Sequence, residues 1–422
     1  MEKETIAIHA GYNKKQGNGE MAVPISQTTA YAFRDSEHAA NLFALKELGP
    51  IYTRLTNPTT DILEQRFAQL EGGAAAICTS SGQAASFFAV ANVAEAGDNI
   101  IISDKLYGGS VSLFTYTCKR FGIETKIFNS DDASNLEELI DDKTKAIYFE
   151  SLSNPQIAIP ALEKIVEIAK KHGVLTICDN TVASAALFNP ISWGVDVVVH
   201  STSKYTSGQG TALGGIIVER DGLAEFFKAN SNRYSHFTTP DESYHGLVYT
   251  DVPLPNFCLR IRLSLLRDIG ATPAPFNSWL LIQTLETLGL RVDKHSDNAL
   301  EVAKFLESHP KVKAVNYPGL KSNKYYDRAQ KYFKNGKASG LISFDVESFE
   351  DAKKVIDSVK LFSVVVNIGD SKSLITHPAS TTHSQMTEEE LLKAGVNPVT
   401  VRLSIGLENP IDLIEDLTQA LN

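Results

Sequence analysis

Between residues 66 and 220 the chain repeats one pattern: a short unbroken apolar run, a small or polar loop, then an amphipathic stretch. The runs are "AAAIC" (74–78), "NIIIS" (99–103), "AIYFE" (146–150), "VLTIC" (174–178) and "DVVVH" (196–200). Helical stretches follow most of them, at 82–97, 110–122 and 160–173, the last opening on proline and closing on glycine. Unbroken Val/Ile runs belong to strands buried on both faces. The pattern therefore predicts an α/β fold with a mostly parallel central sheet sandwiched by helices. Ligands of such sheets sit at the carboxyl ends of the strands.

At 422 residues the chain is too long for one simple core. Its texture changes near residue 221, where 230–275 becomes rich in aromatics, prolines and charges, an excursion from the βα repeat. The stretch that follows is long enough for one long or kinked helix, and beyond it "VKAVNYP", "GLISFDV", "FEDAKKVIDSV" and "VRLSIGL" alternate as in a small α+β domain. The expected organisation is an N-terminal arm (1–65) with little periodic structure, a large domain (66–275) and a smaller C-terminal domain (276–422).

Forty basic residues against fifty acidic ones give a net charge of -10, which argues against nucleic acid or an anionic membrane as partner. The N-terminus carries no apolar run of signal-peptide length and no window is apolar enough to span a membrane, so a cytoplasmic protein is expected. Cys78, Cys118, Cys178 and Cys258 lie far apart and form no C-x-x-C pair, so buried free thiols are expected. His377 and His383 are close in sequence but match no ligand pattern. They are expected to be structural or near the substrate, and no metal site is expected.

The strand ends offer a consistent set of groups. After "AAAIC" comes "TSSGQAAS", a small-residue turn into a helix whose first amides, at Gly82 and Gln83, can hold a phosphate. Tyr107 and two glycines follow "NIIIS"; Asn154 follows "AIYFE"; Asp179 follows "VLTIC"; Ser201, Ser203 and Lys204 follow "DVVVH". Each has a bland explanation taken alone, as a capped helix, a half-buried ring or a solvated lysine. Together they meet the needs of pyridoxal 5'-phosphate: a lysine for covalent attachment, a carboxylate for the pyridine nitrogen, donors for the phosphate and a flat aromatic face. A dinucleotide would rest on Gly208, Gly210 and Gly214, which lack G-x-G-x-x-G spacing at a strand-to-helix turn.

In order and spacing, "IYTRLTNPT", "SSGQAA", "LYGGS", "ESLSNP", "CDNT", "HSTSKYTSGQG", "THPASTTH" and "VRLSIGLE" resemble the Cys/Met-metabolism enzymes that use pyridoxal phosphate, almost end to end. The resemblance implies a fold-type I transferase with a seven-stranded central sheet and a smaller C-terminal α+β domain. It implies that Lys204 is the Schiff-base lysine and proton shuttle, that Asp179 pairs with the pyridine nitrogen, and that Tyr107 stacks on the ring. Asn154 would lie near the phenolic oxygen, and Arg402 would clamp the substrate carboxylate. Tyr52 and Arg54 would reach the phosphate of a neighbouring subunit in a homotetramer built as a dimer of dimers. Gln83 stands where methionine is common, and Asn367 where many relatives have serine beside the substrate carboxylate.

Within that family "PDESYHGLVY" (240–249) resembles the "PDPSYHGL" signature of the O-acetylhomoserine sulfhydrylases, and Gly109 stands where methionine lyases carry cysteine. The implied reaction is γ-replacement on O-acetyl-L-homoserine, giving homocysteine and acetate. Cystathionine γ-synthase and the cystathionine and methionine γ-lyases would use the same groups, and a non-catalytic protein keeping the fold is the alternative from another class. The sequence leaves open whether the ester is acetyl, succinyl or phospho. It also leaves open whether sulfur comes from sulfide, methanethiol or a carrier-protein thiocarboxylate.

Overall fold

A computed structural model describes residues 1–15, 19–381 and 397–422. Seven strands form the large sheet: β1 (Ala75–Thr79), β2 (Asn99–Ser103), β3 (Glu124–Phe128), β4 (Thr144–Glu150), β5 (Leu175–Asp179), β6 (Val197–His200) and β7 (Gly215–Glu219). Their order is β1-β7-β6-β5-β4-β2-β3, with β7 antiparallel to both neighbours and every other pairing parallel. The five expected strands are present, and the sheet is the mostly parallel one the apolar runs imply.

Alternate residues of single strands enter different cores, which is the direct sign of a sheet covered on both faces. In β4, Ile147 and Phe149 join a core with Phe67, Ile165 and Val198, whereas Ala146 and Tyr148 join another with Phe88, Phe114 and Phe257. The 230–275 excursion belongs to the second core. Its short helical turns bring Phe237 flat against Phe227, with ring centroids 3.8 Å apart, and bury Tyr234, Tyr249 and Phe257.

Beyond it the expected long or kinked helix consists of two, Pro275–Leu285 and Leu288–Ser308, separated by Glu286 and Thr287. The first packs on helix Pro58–Glu71, with Thr60 Oγ1 and Ser278 Oγ 2.9 Å apart. The arm is also more structured than its sequence suggests: helices Lys3–His9 and Ser36–Phe43 lie within it. A smaller sheet follows, of β8 (Ala314–Asn316), β9 (Leu341–Asp345), β10 (Ser363–Val364), β11 (Leu374–Thr376) and β12 (Thr400–Ser404), in the order β10-β11-β12-β9-β8. It encloses its own core around Ile342, Phe344, Val401 and Leu403. All four cysteines are buried and unpaired.

Candidate active site

The carboxyl ends of β4, β5 and β6 face one end of the smaller sheet across a cavity of about 220 Å3. Lys204, Tyr107, Asp179, Gly82, Gln83, Asn154, Ser201, Ser203, Asn367 and Arg402 all line it. Tyr52 and Arg54 do not; both are exposed, with the Arg54 guanidinium 5.1 Å from the Tyr52 ring centre.

The lysine segment is held from behind. Arg291 donates to the carbonyls of Tyr205 (2.6 Å) and Thr206 (3.0 Å), and Ser371 donates its amide to the Gly208 carbonyl (2.7 Å). Gly369 comes so close that a Cβ there would lie 2.7 Å from the Tyr205 amide nitrogen, and its φ of +73° suits glycine. Lys204 Nζ donates to Asn367 Oδ1 at 2.8 Å. Burial, helped by the positive charge of Arg402, holds its pKa below the ordinary lysine value.

Asp179 ends β5. Its Oδ1 accepts the Thr181 amide at 2.9 Å, and Tyr148 Oη lies 3.3 Å from its Oδ2. Burial raises its pKa, and among the described residues no cation lies within ion-pair distance of it. A protonated ring nitrogen would supply the missing partner.

At the opposite wall, Ser81 caps helix Gly82–Ala91 by accepting the Ala84 amide. The amides of Gly82 and Gln83 have no partner within the helix, as at any helix start. Gly82 is pressed against Ser201: a Cβ on it would fall 2.5 Å from Ser201 Cβ and 2.9 Å from Ser201 Oγ. This is a cradle of amides and hydroxyls with room for an anionic group and none for a side chain.

Arg402, on β12, is 8% exposed. Its Nη1 donates to Asn154 Oδ1 at 3.0 Å and its Nη2 to the Asn367 carbonyl at 3.3 Å, while its buried Nε has no partner. Burial lowers its pKa to about 10. A buried guanidinium bonded only to neutral oxygens has the donors and the charge to receive a carboxylate. The residues present therefore fit pyridoxal phosphate and an amino-acid substrate together.

Several cavity residues escaped the sequence reading. Glu150, Thr181 and Ser110 line it beside Leu213 and Val366 at its edge. Glu150 lies at the end of a quoted strand, but its place beside Asp179 follows only from the β4–β5 register. His377 lies outside the cavity: it is buried, bonded through Nε2 to the Pro398 carbonyl at 2.7 Å and packed against Phe349, a structural role. His383 lies outside the described residues.

Comparison with known proteins agrees with this geometry. The family model for Cys/Met metabolism PLP-dependent enzymes matches residues 4–422. The chain is 46% identical to the O-acetyl-L-homoserine sulfhydrylase of Leptospira meyeri, covering 99% of this chain and 96% of that one. It is 44% identical to the homocysteine synthase of Schizosaccharomyces pombe, covering 99% and 97%. Among solved structures it is similar to the Campylobacter jejuni protein described as an O-acetylhomoserine (thiol)-lyase, which holds N'-pyridoxyl-lysine-5'-monophosphate: 55% identity, TM-score 0.97, all of both chains. With a match across nearly every residue and a cavity built to suit the same cofactor, the chain belongs to the Cys/Met metabolism family of pyridoxal-phosphate-dependent enzymes.

Proposed function

We propose that the protein catalyses γ-replacement on O-acetyl-L-homoserine in the cytoplasm, exchanging acetate for sulfide to give L-homocysteine for methionine biosynthesis. The observation that carries this reading is the 46% identity, over essentially whole chains, with an O-acetyl-L-homoserine sulfhydrylase. The cavity supports it with a place for each part of the substrate.

Pyridoxal phosphate, when bound, supplies an electron sink for negative charge developing next to the substrate's amino group. Gly82 and Gln83 amides with Ser201 and Ser203 would hold its phosphate, Asp179 would keep the proton on its pyridine nitrogen, and Tyr107 would face its ring. Arg402 and Asn154 bind the substrate carboxylate, with Asn367 beside them. That fixes Cα within reach of Lys204. The lysine, whose pKa burial lowers, takes the Cα proton. A further proton leaves Cβ as acetate departs from Cγ; sulfide then adds at Cγ, and the protons return through the same lysine. Water must be kept from Cγ until sulfide arrives, so the reaction outcome depends on access more than on which groups are present.

Tyr52 and Arg54 stand exposed and apart from this chain's own cavity. Their position supports the reading that they complete the phosphate site of a neighbouring copy, in a homotetramer made of two such dimers. The sulfur donor in this proposal is free sulfide; a thiol or a carrier-protein thiocarboxylate is the alternative that the test resolves.

The test is steady-state turnover of O-acetyl-L-homoserine by the holoenzyme with and without sulfide, measuring homocysteine and 2-oxobutyrate separately. Homocysteine formation that depends on sulfide is expected. Equal 2-oxobutyrate formation under both conditions would overturn the proposal in favour of a lyase. Homocysteine only with a thiocarboxylated carrier would replace the donor.

A further inference from the structure

Glu150 is 5% exposed, at the carboxyl end of β4, in register with Asp179 on β5. Among the described residues no Lys, Arg or His lies within ion-pair distance of it. Burial and the neighbouring Asp179 push its pKa well above the ordinary carboxylate value, a cost that two backbone amides partly offset. Both of its oxygens are engaged: Oε1 accepts the Tyr107 amide at 2.6 Å and Oε2 the Asn154 amide at 3.0 Å. Each of those residues faces the cavity, and Asn154 Oδ1 in turn accepts from Arg402 at 3.0 Å.

We propose that Glu150 is the positioning residue that sets the spacing between the ring-facing Tyr107 and the Asn154–Arg402 carboxylate clamp. It acts through the two backbone amides, from a side chain that itself lines the cavity. Two loops leave different strands, and one rigidly mounted carboxylate ties both. A glutamine of the same shape offers a single carbonyl acceptor, and its amino group would face one of the two amides donor to donor. The carboxylate is thus the group that can hold both loops at once. This inference deepens the proposed reaction and rests on it only for the identity of the substrate.

The fold contains its own control for a simpler explanation, that the carboxylate merely satisfies two buried amides. Glu219, on β7, is 1% exposed and accepts the amides of Phe257 (3.0 Å) and Cys258 (3.1 Å) in the same manner, but none of these residues lines the cavity. If satisfaction of amides were all, Glu150→Gln and Glu219→Gln would behave alike.

The experiment compares the two variants as holoenzymes by titrating each with L-2-aminobutyrate, an unreactive amino acid lacking a leaving group, and following the visible absorbance of the bound cofactor. KM and kcat for O-acetyl-L-homoserine are measured in parallel. Glu150→Gln is expected to weaken amino-acid binding by roughly tenfold or more, the scale of one hydrogen bond in a charged network, and to raise KM while lowering kcat. Glu219→Gln is expected to shift the melting temperature with affinity and KM unchanged. In an Asn154→Ala background the effect of Glu150→Gln on affinity should shrink, because the path through Asn154 is already cut. Unchanged affinity in Glu150→Gln, or an equal loss in Glu219→Gln, overturns the proposal. Should Glu150→Gln fail to fold, Glu150→Asp keeps the charge but is too short to reach both amides. The same tenfold loss is then expected, and wild-type affinity in that variant overturns the proposal. Wild-type protein that binds the amino acid but does not convert O-acetyl-L-homoserine refutes the functional reading alone, and the affinity comparison still decides the role of Glu150.

Discussion

Lys204 and Asn367 meet across the gap between the two sheets, with the lysine Nζ donating to the asparagine Oδ1 at 2.8 Å. The Asn367 carbonyl accepts from Arg402 at 3.3 Å, so a single residue links Lys204 to Arg402, the proposed base to the proposed carboxylate receptor. In the proposed reaction, proton transfer at Cα and recognition of the carboxylate one bond away would thereby be set by the same short segment.

Replacing Arg402 by lysine should separate binding from chemistry. Lysine keeps the charge but cannot offer the planar pair of donors that a carboxylate takes bidentately. KM for O-acetyl-L-homoserine is expected to rise by roughly 10- to 100-fold with a smaller fall in kcat. Steady-state kinetics with the cofactor spectrum as a loading control checks this; an unchanged KM would remove Arg402 from the carboxylate site.

Gly82→Ala should cripple cofactor retention. The new methyl would sit 2.9 Å from the Ser201 Cα, a backbone atom that cannot swing aside as the end of a flexible side chain would. Pushing the helix start away from Ser201 opens the phosphate cradle, and cofactor affinity is expected to fall by roughly tenfold or more, read by titrating apoprotein with pyridoxal phosphate. Wild-type affinity would place the phosphate elsewhere.

Two inactive variants should restore each other if Tyr52 and Arg54 serve a neighbouring site. Lys204→Ala and Arg54→Ala, each expected to be nearly inactive, are unfolded, mixed and refolded. In a dimer with reciprocal sites, half the pairs are hybrids with one intact site, so about a quarter of wild-type activity should return. No recovery in a mixture shown to contain hybrids would confine Arg54 to its own chain.

Acid should destabilise the protein partly through His236. Burial and the nearby Arg260 push its pKa down to about 3, and its Nε2 pairs with the Asn92 carbonyl at 3.1 Å, so it is neutral when folded. In the unfolded chain it takes a proton near about pH 6.5. Its contribution is therefore complete above that pH and is lost as pH falls toward the folded value. Between pH 7 and 5 the loss is about 2 kcal/mol, and His236→Gln should show a correspondingly smaller drop in melting temperature over that interval than wild type.

The cofactor end of the site was legible because strand ends are visible in sequence. Lys204, Asp179, Asn154, Tyr107 and Gly82 each stand within four positions of the end of an apolar run, and the parallel sheet brings such ends together. Arg402, on β12, and Asn367, on the connection between β10 and β11, came from family resemblance alone, since no periodicity ties them to residues that far upstream. Glu150 was hidden in plain view, for a glutamate closing a strand looks like a polar terminus until the register puts it beside Asp179. Two strands went unpredicted for opposite reasons. β3 is an edge strand whose residues are mostly half-exposed, so its apolar signal is broken. β7 is fully buried, but "GIIVE" is short and follows the glycine-rich stretch after Lys204.

The cavity is a seam between two bodies, and its ends are stitched unequally. The cradle at Gly82 and Ser201 and the carboxylate of Asp179 lie at the strand ends of the large sheet, whereas Arg402 sits on β12 of the smaller one and Asn367 on the connection between β10 and β11. A small tilt of the lesser body would part the arginine from Asn154 and leave the cradle untouched. Turnover can then admit and discharge amino acids at one hem of the seam while the cofactor stays sewn into the other.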